Sequence, residues 1–290
     1  MVHSPPKSPD EIPLAWSRKD LEQRMLFTGG RHTRVNVVLT LLIGLAATVA
    51  FYAALIPFDG SHYADMFTKR SWVQYATVLL SFWSLAILFI KSRKIAFQRR
   101  ALDYAVVPDE SDFVLSAANV DAVIDRIYQI CDDPRHFVLY NRIVVALANL
   151  RNLGRVGDVG DILNAQAESD EASSETSYAL VSGFVWAIPV LGFIGTVLGL
   201  SDAIGSFGTV LEQSDDMSQI KDSLRNVTSG LSTAFETTLV ALVASLAIQL
   251  MLTFLKKSEQ EFLDDCTEYC TDQVVNHLRI LPFERVDAGE

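Results

Sequence analysis

Two threonines have the setting that most invites chemistry in this chain. Thr196 lies in the run IPVLGFIGTVLGL and Thr238 in LSTAFETTLVALVASLAI, both long and apolar. A hydroxyl in such a run can shelter an ion or a carboxylate that hydrocarbon would otherwise reject. The plainer alternative is that each hydroxyl bonds back to its own helix carbonyl, as threonine in membrane helices often does. Thr237 is adjacent to the second of them. Glu236 and Thr233 sit within one turn on the same segment, and a carboxylate inside an apolar run is a functional candidate by default, for an ion path or an external vestibule. Cys266, Cys270 and His277 fall at helical spacing and suggest a metal site, but zinc wants four ligands and no other cluster supplies them, so no metal and no cofactor are expected. The GxSxG, HExxH and P-loop signatures are missing, which argues against an enzyme.

These residues must be positioned by membrane helices. Half of the 290 residues are hydrophobic, and the excess is concentrated in four blocks. The spans are expected at 35–56, 72–90, 178–205 and 231–255, each close to or above the roughly 20 residues that cross a bilayer. Backbone groups in hydrocarbon must be satisfied within the segment, so the fold class is an all-α integral membrane protein. Four such blocks in one chain argue against buried helices of a soluble core. The first is too long and too far from Met1 for a cleaved secretory signal.

Lysines and arginines beside the spans orient them. Arg31, Arg34, Lys91, Arg93, Lys94, Lys256 and Lys257 mark cytoplasmic ends, so both termini are expected in the cytoplasm and loops 57–71 and 206–230 outside. The net charge of −11 argues against nucleic acid as a partner, whereas membrane lipid is an expected one.

The organisation is then a tail and short amphipathic helix over 1–34, with the helix at Leu14 to Phe27; a hairpin over 35–90; a cytoplasmic helical segment over 91–177; a two-span domain over 178–255; and a C-terminal helix and tail over 256–290. Within 91–177 the spacing predicts helices at 111–130, capped by Ser111 or Asp112, and at 135–153. They read as extensions of the membrane helices. The stripe Leu255, Phe262, Cys266, Tyr269 suggests packing against a neighbour such as another copy of the chain.

The third and fourth spans are the ones built for protein contact. Gly192, Gly195 and Gly199 permit close approach, and Ala234, Thr237, Ala241 and Ser245 keep the fourth span small-sided, whereas the first two spans suit lipid. Pro189 shapes the third span. The pattern Pro189, Leu191, Gly192, Gly195, Thr196, Val197, Gly199, followed by Ala234, Phe235, Glu236, Thr237, Thr238 and Ala241, resembles the paired signature of the MotA/TolQ/ExbB proton-channel family. Four spans and a long second-to-third connection are similar to MotA. Thr233 stands where ExbB-like members carry an acid, and Glu236 follows one turn later.

The resemblance implies a homopentamer in a bacterial inner membrane, surrounding a dimeric single-span partner of the MotB/ExbD/TolR type that brings an aspartate into the pore. Thr196 and Thr238, with Thr237 adjacent, would line the ion path, and Pro189, Gly192, Gly195, Gly199, Ala234 and Ala241 would set packing and pore shape. The ion would be a proton, with sodium as the alternative that a Thr-Thr pair suggests. A structural membrane scaffold and a stand-alone secondary transporter are the competing readings; the second would often show an internal repeat, and no second copy of the GT motif is present.

Overall fold

The computed structural model describes residues 12–16, 21–24, 30–68, 71–107, 115, 119–153, 156–213 and 217–278. It contains α1 (Leu21–Arg24), α2 (Val37–Leu55), α3 (His62–Thr68), α4 (Trp72–Arg99), α5 (Val120–Ile130), α6 (Val138–Leu153), α7 (Val156–Ser177), α8 (Ala179–Gln213) and α9 (Met217–Tyr269), the last followed by a π-helical turn over Cys270–Val275. The fold is all-helical: among the described residues the only β pairing is two isolated bridges, Leu14 with Cys131 and Leu115 with Leu278. Among the described residues four helices are long and apolar enough to cross a membrane, and they overlap the four expected spans, the first starting at Val37 and not at 35.

The expected external loop at 206–230 is instead helical on both sides of 214–216, since α8 runs to Gln213 and α9 begins at Met217. The segment loses its apolar character without losing helix formers. Glu212, Gln213, Lys221, Leu224 and Arg225 favour helix, and α9 carries no proline in its 53 residues. Polarity alone does not stop a helix. The tail at 1–11, the proposed caps Ser111 and Asp112, and the tail after 278 lie outside the described residues.

The chain divides into two compact units, one of Val37–Phe89 with Tyr178–Leu255, the other of Met1–Asn36, Ile90–Ser177 and Lys256–Glu290. The first holds the apolar spans. Its core gathers Ile87 and Leu88 of α4, Val181 and Ile188 of α8, and Ala241, Ile248 and Leu252 of α9. The hairpin α2 to α4 closes at Gly44, where an added Cβ would stand 2.8 Å from the Trp83 Cα. The turn after α2 uses Gly60 at φ 88°, a conformation that side chains other than glycine rarely adopt. A lipid-facing role was expected for both early spans, yet half of the most apolar stretch of α4 is buried, against 17% for α2. The reason is that α4 packs on α2 as well as on α8, through Trp83 and Phe184 with ring centroids 4.7 Å apart.

The second unit has a core of its own, which segment 91–177 shares with Leu14, Trp16 and the end of α9. Trp16 is 1% exposed, with ring centroids 5.5 to 5.7 Å from His136, Phe97 and Phe137. Its backbone N–H donates to Asp132 Oδ1 at 2.9 Å, and Leu14 donates to the Ile130 carbonyl at 3.0 Å. Leu14, Ala15 and Trp16 are therefore buried and not spread on a surface; of the helix expected at 14–27, Trp16 and α1 are helical, and 17–20 and 25–27 lie outside the described residues. The stripe expected to meet another copy is also covered internally, for Phe262, Leu263, Cys266 and Cys270 join α5 and α6 in this core.

Charges buried in this unit are paired. Lys91 Nζ lies 3.0 Å from Glu259 and donates to Ser177 at 2.7 Å, while Lys94 Nζ lies 2.6 Å from Glu22 and donates to the Arg34 carbonyl at 2.8 Å. Arg142 Nε donates to Asp170 at 2.7 Å and Nη1 to Thr267 at 2.9 Å. Pairing with extra hydrogen bonds is what makes buried charge tolerable. His32 stands 3.6 Å from Asp170, and burial pushes its pKa down to about 4 in spite of that carboxylate's attraction.

Candidate functional site

The site is the seam between α8 and α9. Glycine on one helix faces a small residue on the other over about three turns: an added Cβ would lie 2.6 Å from Ala241 Cβ at Gly192, 2.8 Å from Thr237 Oγ1 at Gly195, and 3.3 Å from Ala234 Cβ at Gly199. At Gly230, on α9, it would lie 2.6 Å from Ala203 Cβ. The backbones are too close for anything larger, which is the contact that small-xxx-small spacing permits in lipid.

This closeness brings the two candidate threonines together. Thr196 and Thr238 hydroxyls bond each other across the seam. Thr196 Oγ1 also lies 3.2 Å from its own helix's Gly192 carbonyl and 3.2 Å from Ala234 O opposite; Thr238 Oγ1 lies 3.2 Å from Ala234 O and 3.0 Å from Gly192 O. Four oxygens thus meet with two hydroxyl protons among them. Self-bonding and cross-bonding are both in reach of each hydroxyl, so the two readings open in the sequence are not exclusive. Each O–H can turn between partners while its heavy atoms stay in place.

The other candidates are not in this cluster. Thr237 is 1% exposed, donates to Ala234 O at 2.9 Å and fills the notch left by Gly195. Thr233 donates to Ser229 O at 3.0 Å and lines a polar cavity of about 330 Å³ with Ser71, Asp202 and Asn226. Glu236 accepts from Ser232 Oγ at 3.0 Å and has His62 of α3 at 3.8 Å. It is two residues, or about 200° of helix, from Thr238, and so faces the hairpin while Thr238 faces α8. Phe235, Leu242 and Leu246, all more than half exposed, continue the flank of α9 on the Thr238 side.

Pro189 does not interrupt α8, and the means lies on the facing helix. Proline has no N–H, so the Val185 carbonyl four residues earlier loses its helix bond. Ser245 of α9 donates to that carbonyl at 2.8 Å. The proline and the serine are a matched pair, 56 positions apart in the chain by their numbers. An orphaned carbonyl opposite a small hydroxylic residue would have been the signal.

Cys266 and Cys270 are both buried free thiols in the core of the second unit, and no group of three or more metal-ligating side chains occurs among the described residues. Comparison with known families bears on the seam directly. Residues 141–268 match the model of the MotA/TolQ/ExbB proton channel family. The match takes in the seam, both threonines and Pro189, and it begins upstream of the resembling motifs, inside α6. No curated protein and no solved structure matches the chain. With four apolar helices and a membrane-channel family model across the seam, the chain is a multi-pass membrane protein.

Proposed function

We propose that this chain is the pore-wall subunit of a proton-driven rotary motor in a bacterial inner membrane, with both termini in the cytoplasm. Five copies surround a dimeric single-span partner of the MotB/ExbD/TolR type, and ion flow turns one component within the other to do mechanical work in the envelope. The observation that carries the reading is the four-oxygen cluster of Thr196, Thr238, Gly192 and Ala234 inside a helix pair matched by the channel family.

The chemistry follows from hydroxyl rotation. An aspartate carried past the wall needs hydrogen-bond donors while ionised and an acceptor once protonated. A threonine pair supplies either by turning an O–H, with no backbone movement. Carbonyls already pinned by helix geometry hold the pair in place. The apolar flank on either side of it raises the cost of an ionised carboxylate anywhere else along the wall. Hydroxyl and carbonyl oxygens also suit sodium, a hard cation, which is the alternative ion. Thr237 holds the seam, while Glu236 and Thr233 belong to the external approaches.

The test is Thr196→Val and Thr238→Val, singly and together, in vesicles containing chain and partner. Ion flux through the double variant is expected to fall at least tenfold with the ring still assembled. Wild-type flux in the double variant, or a purified ring without fivefold symmetry, refutes the reading. A scaffold would tolerate both substitutions.

A further inference from the structure

A groove opens on the opposite side of α9 from Thr238, within the same unit. It encloses about 410 Å³ and is lined mainly by aromatic and aliphatic side chains, among them Phe51, Phe67, Phe82, Leu239 and Val243. Thr77 breaks this pattern. It is 1% exposed, it lines the groove, and its Oγ1 makes no hydrogen bond among the described residues. Burying a hydroxyl unpaired is costly, so an acceptor is expected there. One turn along α4, toward its N-terminal end, Gln74 is fully buried with neither Nε2 nor Oε1 hydrogen bonded among the described residues.

A charged pair lies beyond the lining residues on the same helix face. Glu236 sits three and four residues before Leu239 and Val240, hence on the same face of α9, and His62 lies 3.8 Å from its carboxylate. From Thr77 to Leu85 on α4 the groove runs about 12 Å at 1.5 Å per residue. That is comparable with the ~15 Å of hydrocarbon in one leaflet. The Glu236 and His62 pair, the unpaired Thr77 hydroxyl and the apolar trough match in kind the head group, ester and chain of a lipid.

We propose that this groove holds one acyl chain of a glycerophospholipid bearing a primary-amine head group, in the leaflet on the His62 side. The ammonium pairs with Glu236, the phosphate faces His62, and an ester carbonyl accepts from Thr77 Oγ1. Gln74 lies at the level of the glycerol. The site stands apart from the Thr196 and Thr238 seam, and the proposal does not depend on what that seam does.

The experiment uses the full chain, exchanged into detergent and incubated with equal amounts of phosphatidylethanolamine and phosphatidylglycerol of the same acyl chains, with bound lipid counted by native mass spectrometry. Wild type is expected to hold one phosphatidylethanolamine per chain, at least fivefold over phosphatidylglycerol. Glu236→Gln abolishes that preference, and Ser81→Phe, which fills the trough, removes both lipids. Thr77→Val, close in shape to the native side chain, lowers retention several-fold and keeps the test valid if Ser81→Phe fails to fold. Equal retention of the two lipids by wild type, or unchanged retention in Thr77→Val, overturns the proposal. Loss of oligomer in Ser81→Phe with lipid still bound assigns the groove to a neighbouring copy and overturns it as well.

Discussion

Gly192→Ala and Gly183→Ala make the same chemical change in one helix and should act in opposite directions. At Gly192 the new methyl would stand 2.6 Å from Ala241 Cβ and 3.2 Å from Thr238 Cα. Carbon atoms sit comfortably at about 3.5–4.0 Å, so α8 and α9 must part by roughly 1 Å. The Thr238 bond to the Gly192 carbonyl, now 3.0 Å, then stretches to near 4 Å and is lost. Overpacking of this kind costs about 1–3 kcal/mol, of which alanine's better helix propensity returns about 1 kcal/mol. At Gly183 nothing lies within 4 Å of the added Cβ, leaving the propensity gain alone. The two variants should therefore differ by roughly 2 kcal/mol in unfolding free energy, with Gly192→Ala the less stable. The assay is equilibrium unfolding of the purified chain in mixed micelles, followed by far-ultraviolet circular dichroism. Equal shifts of the same sign would show that the seam yields freely and that the glycines are not there for contact.

Ser245→Ala should cost about 1–3 kcal/mol by leaving the Val185 carbonyl unpaired, and adding Pro189→Ala should recover most of it, because the new amide supplies the missing donor; a double-mutant cycle of unfolding midpoints reads the coupling. Trp16→Ala should destabilise the second unit by about 3–5 kcal/mol, as measured by protease resistance of that unit, since the ring is 1% exposed and packs on three others. His32 titrates near 4 in the folded chain against 6.5 when free, so the unfolded state takes up the proton first. Stability should be level above pH 7 and fall by up to about 3 kcal/mol as pH drops from 6.5 to 4. In His32→Gln that slope should flatten in a pH series of melting curves.

What could be seen in the sequence was whatever depends on one helix or one close-packed seam. Apolar length gave the four spans, and the spacing of Gly192, Gly195 and Gly199 gave the face on which α9 would be met. The pairing of Thr196 with Thr238 followed from two motifs placed on neighbouring helices. Non-local contacts were hidden. Trp16 reads as part of an amphipathic surface helix because its partners, Phe97, His136 and Phe137, are far away in the chain. Ser245 reads as one more small residue because the carbonyl that Pro189 frees belongs to a different helix. Glu236 and Thr238, neighbours in a motif, face different ways because a helix turns about 100° per residue.

The notched seam also has a mechanical consequence. Gly192, Gly195 and Gly199 receive Ala241, Thr237 and Ala234 as a rack receives teeth, and Ser245 bolts the one place where α8 lacks a bond of its own. Sliding one helix along the other would require the teeth to climb over backbone. The pair therefore behaves as a single stiff stave. In the ring proposed above, compliance would then reside in the joints between staves and not within them.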